Sequence, residues 1–324
     1  MTKYKIILLL LMVTIVTSCN KQSQGDSLQM SAMRGTGVLQ PKDTNSFSFI
    51  AFGDSQGETN NTTLKAIFKS MKTVSPKPSF ALSLGDIIHG EPSSTDDFTT
   101  QIERHLGDVL KLHKLAGIPV FNAPGNHEMD DWIANQEKPS KRMRTAYETI
   151  VGSTYGSFDY GNSHFIILNT EDILPVGMGS SDLEEGKEFS YIGEEQLAWL
   201  KSDLDANKKA RHIIVAMHYP IHAHYPKRDN LFDKSRTSLI NLFAKYPNIS
   251  FVLASHEHQY YNSLDPENHD IVAPFKYGDA TQYLISGGAG ASMKYFPLPG
   301  GFHHYLLFEV DGDNISVTIK RIIE

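Results

Sequence analysis

The chain has 324 residues, 40% of them hydrophobic, and 30 basic against 37 acidic side chains give a formal net charge of −7 at pH 7. That balance excludes a general nucleic-acid binder, which needs a basic surface, but not a small phosphorylated ligand, because a bound cation can outweigh the net field locally. A single cysteine excludes an intramolecular disulfide and, equally, a closed cysteine-rich zinc fold.

In chain order, Lys3 and Lys5 precede an apolar run from Ile6 to Val16, too short to span a bilayer and of the length of a secretory leader. A leader over residues 1–18 is therefore expected. Its removal would leave 28 basic and 37 acidic residues, about −9. From Cys19 to residue 46 the chain is polar, rich in Ser, Gln and Gly and without apolar period, which predicts a flexible tether. About 280 residues follow, enough for one large α/β domain, expected over residues 47–324.

Within that domain seven apolar runs recur, each ending in polar residues or glycine: "FSFIAFGD", "SFALSLGD", "IPVFNAPGN", "SHFIILNTE", "HIIVAMHYP", "ISFVLASHEH" and "QYLISGGAG". Near-continuous hydrophobicity predicts strands covered on both faces, as in layered α/β proteins. Helices are expected in "TTLKAIFKSMKTV", "DDFTTQIERHLGDVLKLHKLAG", "GEEQLAWLKSDLDAN" and "TSLINLFAKYP". The third carries an apolar stripe of Leu197, Leu200 and Leu204. Two alternating runs joined through "DGDN" predict a C-terminal antiparallel hairpin, so the sheets should be mixed.

Five strand ends carry coordinating side chains: Asp54 and Gln56 in "GDSQ", Asp86 in "LGD", Asn126 and His127 in "GNH", His218 in "MHYP", His256 and His258 in "SHEH". Functional groups of layered α/β folds collect beyond the carboxyl ends of strands. Taken singly, each has a plain reading, since "GD" after a strand is commonly a turn or cap and a lone strand-end histidine is usually a core residue. Their recurrence at five such ends is what points to one oxygen-and-imidazole site.

In this order, "GDSQ … GD … GNHE … H … SHEH" resembles the calcineurin-like metallophosphoesterases, whose pattern is D-x-H, G-D, G-N-H-[DE], H and G-H-x-H. The stretch "YGSFDYGNSHFIILNTE" is also typical of them. The resemblance implies an α/β sandwich of two mixed β-sheets flanked by helices. It further implies two divalent metal ions (Mn, Fe or Zn) that hydrolyse the ester of a small phosphorylated substrate through a bridging hydroxide. One ion would take Asp54, Gln56, Asp86 and His258, the other Asp86, Asn126, His218 and His256, with Asp86 as the bridge. His127 would stay off the metals and assist the leaving group. Similarly, "VTSC" resembles the lipobox of bacterial lipoproteins, which implies lipidation of Cys19 and a lipid anchor in the cell envelope.

Two departures stand out. Gln56 replaces the commoner His, and its amide oxygen is a harder and weaker donor, which favours Mn²⁺ or Fe²⁺ over Zn²⁺. Ser255 replaces the usual Gly and is expected to matter little. The tyrosine of purple acid phosphatases is missing, so a tyrosinate-ligated ferric site is not expected. A basic run at residues 138–144 is read as a solvated face or a phosphate contact, and His222 and His224 as possible pocket residues. The alternative from another class is a binding or surface-assembly lipoprotein on a phosphoesterase scaffold; a retired site of that kind should have lost ligands, and here every position holds a coordinating residue.

Overall fold

The computed structural model describes residue 39 and residues 44–58, 60–90, 98–130, 140–173, 190–225, 229, 231–293 and 299–323. The expected leader, Cys19 and nearly all of the expected tether lie outside these residues. No helix among the described residues is long and apolar enough to cross a membrane.

The first sheet has the order β3-β2-β1-β11-β12-β9. Its strands are β1 (Ser46–Phe52), β2 (Ala81–Ser83), β3 (Val120–Asn122), β9 (Phe275–Lys276), β11 (His304–Asp311) and β12 (Asn314–Arg321). The second sheet, β4-β5-β6-β7-β10-β8, comprises β4 (Gly156–Tyr160), β5 (Ser163–Ile167), β6 (His212–Ala216), β7 (Ile249–Ala254), β8 (Tyr260–Asn262) and β10 (Gln282–Ser286). Both are mixed. β1, β2 and β3 run parallel while β11 joins β1 antiparallel. β5, β6, β7 and β10 run parallel between antiparallel β4 and β8. The "DGDN" segment turns the expected β11–β12 hairpin, with Asp311 opposite Asn314.

Alternation along each strand separates two apolar faces. Phe49, Ala51, Leu82 and Phe121 of the first sheet meet Phe158, Phe165, Ile214, Phe251 and Leu253 of the second in a core between the sheets. Aromatic rings dominate it: Phe49 stacks on Phe308 at 4.5 Å and meets Phe165 edge-on at 5.1 Å. The intervening residues Ile50, Phe52, Ala81 and Val120 face outward and are covered by Leu64, Ile67 and Phe68 of α1 (Thr62–Met71). On the far side, Ile166, Ile213, Val215 and Val252 are covered by Leu200 and Leu204 of α5 (Glu194–Ala206) and by Leu239 and Phe243 of α6 (Asp233–Phe243). The expected leucine stripe thus packs inward, with Leu197 at its margin. Four layers result, helix–sheet–sheet–helix.

A fourth cluster joins α2 (Phe98–His113) to α4 (Lys141–Ile150) through Ile102, Leu106, Met143, Ala146 and Tyr147. Here the structure adds an inward face to the basic run, whose Lys141 is exposed as expected of a solvated face. Within its described part, the chain enters α4, and Met143, Ala146 and Tyr147 supply an i, i+3, i+4 face that the surrounding Lys and Arg obscure. Arg144 is paired on this face: its guanidinium bonds Glu148 at 2.9 Å and Asp172 at 3.3 Å.

Candidate metal centre

Because β1, β2 and β3 run parallel, Asp54, Asp86 and Asn126, which follow them, emerge at one edge of the first sheet. His218 and His256, which follow the parallel β6 and β7, emerge likewise from the second. Backbone bonds stitch these loops together. Ser55 N and Gln56 N donate to Asp86 O at 3.0 and 3.1 Å, Asp54 N donates to Gly85 O at 3.1 Å, and Ser255 N donates to His218 O at 2.9 Å. Asp54, Gln56, Asp86, Asn126, His218, His256 and His258 are all buried.

One oxygen or ring nitrogen from each of Asp86, His218 and His256 lies within 4.8 Å of the others, and the same holds for Asp54, Asp86 and His258. Asp86 belongs to both groups. Its Oδ2 is 3.3 Å from His218 Nε2 and accepts from Gln56 Nε2 at 3.1 Å. Asn126 Oδ1 sits 3.1 Å from the same His218 nitrogen, and His258 Nε2 is 3.7 Å from Asp54 Oδ1.

The imidazoles are aimed. A nitrogen facing a carbonyl must be the donor; His218 Nδ1 faces Leu84 O at 2.9 Å and His258 Nδ1 faces Ser292 O at 3.1 Å. Each therefore turns Nε2 into the site, the usual way an imidazole is fixed for a metal. Ser255 contributes to this, contrary to the expectation that it matters little: its hydroxyl donates to Leu84 O at 2.7 Å and lies 3.0 Å from His218 Nδ1. Glycines make the room. A Cβ on Gly125 would collide with Asp86 Oδ1, and one on Gly287, in the "ISGGAG" turn, with Asp54 Oδ2.

Backbone strain singles out the same residues. Asp54 (φ 57°), Asp86 (φ 55°), His256 (φ 71°) and His258 (φ 49°) occupy the left-handed region, and Asn61 is the only other non-glycine there among the described residues. Each such residue costs roughly 1 kcal/mol or more, and strain of this kind gathers at functional sites.

Glu128 is the organiser that sequence reasoning missed. It lies in α3 (Asn126–Met129), fully buried, and its carboxylate accepts four backbone N–H groups: Asp86 at 2.9 Å, Ile87 at 2.8 Å, Ile88 at 3.0 Å and Gly125 at 2.8 Å. It thereby holds the Asp86 loop and the Asn126 loop to one another. Burial, and then the charge of Asp86, push its pKa up to about 7 against the pull of those N–H bonds. Burial acts on Asp86 in the same sense, but His218 and His127 outweigh it and keep Asp86 well below the usual carboxylate range. Burial would lower His218, yet the Asp86 carboxylate holds it up at about 9.

His127 stands apart, with 21% of its side chain exposed. Its Nδ1 donates to His89 O at 2.7 Å, and its Nε2 lies 4.0 Å from Asp86 Oδ2. His222 and His224 pack on Tyr283 and Tyr261 respectively.

The residues fit a pair of metal ions. Gln56 Oε1 is buried without a hydrogen-bond partner, which is costly unless something accepts its lone pairs. A mixed set of carboxylate, amide and imidazole donors suits Mn²⁺, Fe²⁺ or Zn²⁺.

Known proteins bear on this geometry. The chain is 24% identical over 249 residues to the manganese-dependent ADP-ribose/CDP-alcohol diphosphatase of Xenopus laevis, covering 63% of this chain and 68% of that one. It is 27% identical over 213 residues to the serine/threonine-protein phosphatase CPPED1 of Danio rerio, covering 64% and 62%. The chain thus spans about two thirds of the length of these relatives. Its fold matches a dimetal phosphatase from Danio rerio with a TM-score of 0.62 at 13% identity, over 86% of this chain and 97% of that one. The model of the calcineurin-like phosphoesterase family matches residues 47–260, which with the buried site at the sheet edge establishes that the chain belongs to that family.

Proposed function

We propose that this chain hydrolyses esters of small phosphorylated molecules at a site of two divalent cations. The observation that carries the reading is the sharing of Asp86 between two groups of buried ligands. One ion would be held by Asp54, Gln56, Asp86 and His258, the other by Asp86, Asn126, His218 and His256. Bound there, such ions would grip the phosphoryl oxygens and make water a nucleophile near neutral pH. In the reaction the water oxygen bonds to phosphorus, the P–O bond to the alcohol breaks, and the departing oxygen takes up a proton. His127 would deliver that proton from Nε2, a role supported by its Nδ1–H being donated to His89 O. Such help contributes about 10²–10⁴-fold in rate.

The reading is tested by stripping the chain of metal, reloading it with Mn²⁺ and comparing p-nitrophenyl phosphate with bis-p-nitrophenyl phosphate. Turnover of either ester, lost with chelator, is expected. Inertness toward both with two Mn²⁺ bound would overturn it and favour a binding protein on this scaffold. We also propose that the leader is cleaved before Cys19 and that a lipid there anchors the domain in the cell envelope. Incorporation of labelled palmitate, lost in Cys19→Ala, checks this.

A further inference from the structure

A cavity of about 380 Å³ opens beside the centre. Two of its lining residues belong to the site itself. Gln56 bonds Asp86, and the carbonyl of His89 anchors His127 while the His89 ring meets the His127 ring edge-on at 5.4 Å. The cavity therefore adjoins His127 through His89, on the side where a group attached to the oxygen that His127 would protonate could be received. Ile87, Ile88 and Val109 give it an apolar wall, and His105 of α2 faces them.

The charges of the lining are one-sided. Glu58 and Asp108 contribute carboxylates, whereas no lysine or arginine lines the cavity among the described residues. Glu58 is held by Thr63 through N at 2.7 Å and Oγ1 at 2.6 Å, and the exposed Asp108 pairs with Lys111 at 2.9 Å. Burial, and then Arg104 next to it, push the His105 imidazole below its ordinary range, with Asp108 pulling the other way. A second phosphate here would find two carboxylates in the lining, one of them paired with Lys111, and no lysine or arginine in the lining among the described residues. Pockets that recognise phosphate supply arginine, lysine or aligned N–H groups.

We propose that this cavity is the leaving-group subsite and that it selects phosphate esters of uncharged alcohols, up to the size of a nucleoside, over diphosphates. The inference rests on the phosphoesterase reading above and narrows its substrate class. Ile87 and Ile88 would pack on the apolar face of the leaving alcohol, and the carboxylates would repel an anionic one.

Two matched pairs test it with the Mn²⁺-loaded chain: adenosine 5′-phosphate against adenosine 5′-diphosphate, and adenosine 5′-methyl phosphate against ADP-ribose. In whichever pair is turned over, kcat/KM is expected to favour the ester at least tenfold. Val109→Lys and His105→Lys, two independent ways of adding a cation to the wall, should each shift that ratio toward the diphosphate by about tenfold. An unmodified chain that prefers the diphosphate, or a ratio unmoved in both folded variants, would overturn the proposal. If neither pair is hydrolysed with two Mn²⁺ bound, the enzymatic reading fails, and equilibrium dialysis of the same compounds still reads the cavity. Tighter binding of the monophosphate, reversed by either lysine, would uphold the selectivity; tighter binding of the diphosphate would remove it as well.

Discussion

His164 and His218 are both buried and both face carboxylates, at opposite ends of the neighbouring strands β5 and β6 of the second sheet. His164, near the start of β5, lies between Asp159 at 2.6 Å from Nδ1 and Asp203 at 2.8 Å from Nε2. His218, just beyond β6, has Asp86 Oδ2 at 3.3 Å from Nε2, while its Nδ1 is turned to a backbone carbonyl. Burial works against the charged form of both rings, and carboxylates overcome it in both, holding each at about 9. A buried, charge-stabilised histidine is thus not diagnostic by itself. The difference lies in what remains to be satisfied. Both His164 nitrogens have carboxylate partners, which makes it a pin between β4, β5 and α5. His218 instead offers one aimed nitrogen to a space shared with Asn126, His256 and Asp86, on loops whose backbone is strained. Capacity for metal is read from the unspent valence and the strain, not from the pKa.

Mutations sharpen the contrast. Asp86→Ala has the largest expected effect: turnover falls below detection and both ions are lost together, checked by metal analysis alongside the ester assay. His127→Ala should lower turnover by about 10²–10⁴-fold with both ions retained; loss of metal in that variant would move His127 into the ligand set. Glu128→Gln places an amide N–H₂ among four backbone donors, so it should weaken metal affinity by about 10–100-fold, as loss of an orienting partner does. A metal titration followed by activity reads this. The smallest effect belongs to the pin. His164→Gln should leave metal content and turnover unchanged and destabilise the fold by at most about 3 kcal/mol, less if exposed Asp159 is screened by solvent.

The sign of its pH dependence follows from the raised pKa. Because the folded state holds the His164 proton more tightly than the unfolded chain, the stabilisation is fully present below about 6.5 and is lost as pH rises toward about 9. Urea unfolding of the original chain and His164→Gln should therefore differ most near pH 6 and converge above pH 9.5. A gap that widens with pH would show that His164 is neutral in the fold.

Most of the architecture was legible because strand-end polar residues are punctuated by apolar runs, and the structure brings the seven predicted ligand residues into one buried space. What was not legible depends on neighbours distant in sequence. Glu128 reads as part of "GNHE", but three of its four N–H partners are some forty residues upstream, at Asp86, Ile87 and Ile88. Ser255 reads as a small substitute for glycine until Leu84 O and His218 Nδ1 are seen beside its hydroxyl. Helix α4 was hidden because Lys141, Arg142 and Arg144 surround the first of its three inward residues. β8 and β9, at three and two residues, are too short to carry a period.

The division of the ligands between the sheets has a mechanical consequence. Asp54, Gln56, Asp86 and Asn126 hang from the first sheet and His218, His256 and His258 from the second, so each proposed ion would be a rivet driven through both. The aromatic interior glues the sheets face to face without direction, whereas a rivet at one margin resists their sliding and splaying. Each ion would add RT ln(1 + [M]/Kd) to stability, about 2.7 kcal/mol at a hundredfold excess over Kd. The margin that the left-handed loops weaken is the one such rivets would clamp, so the catalytic cargo would double as the hinge-lock of the sandwich.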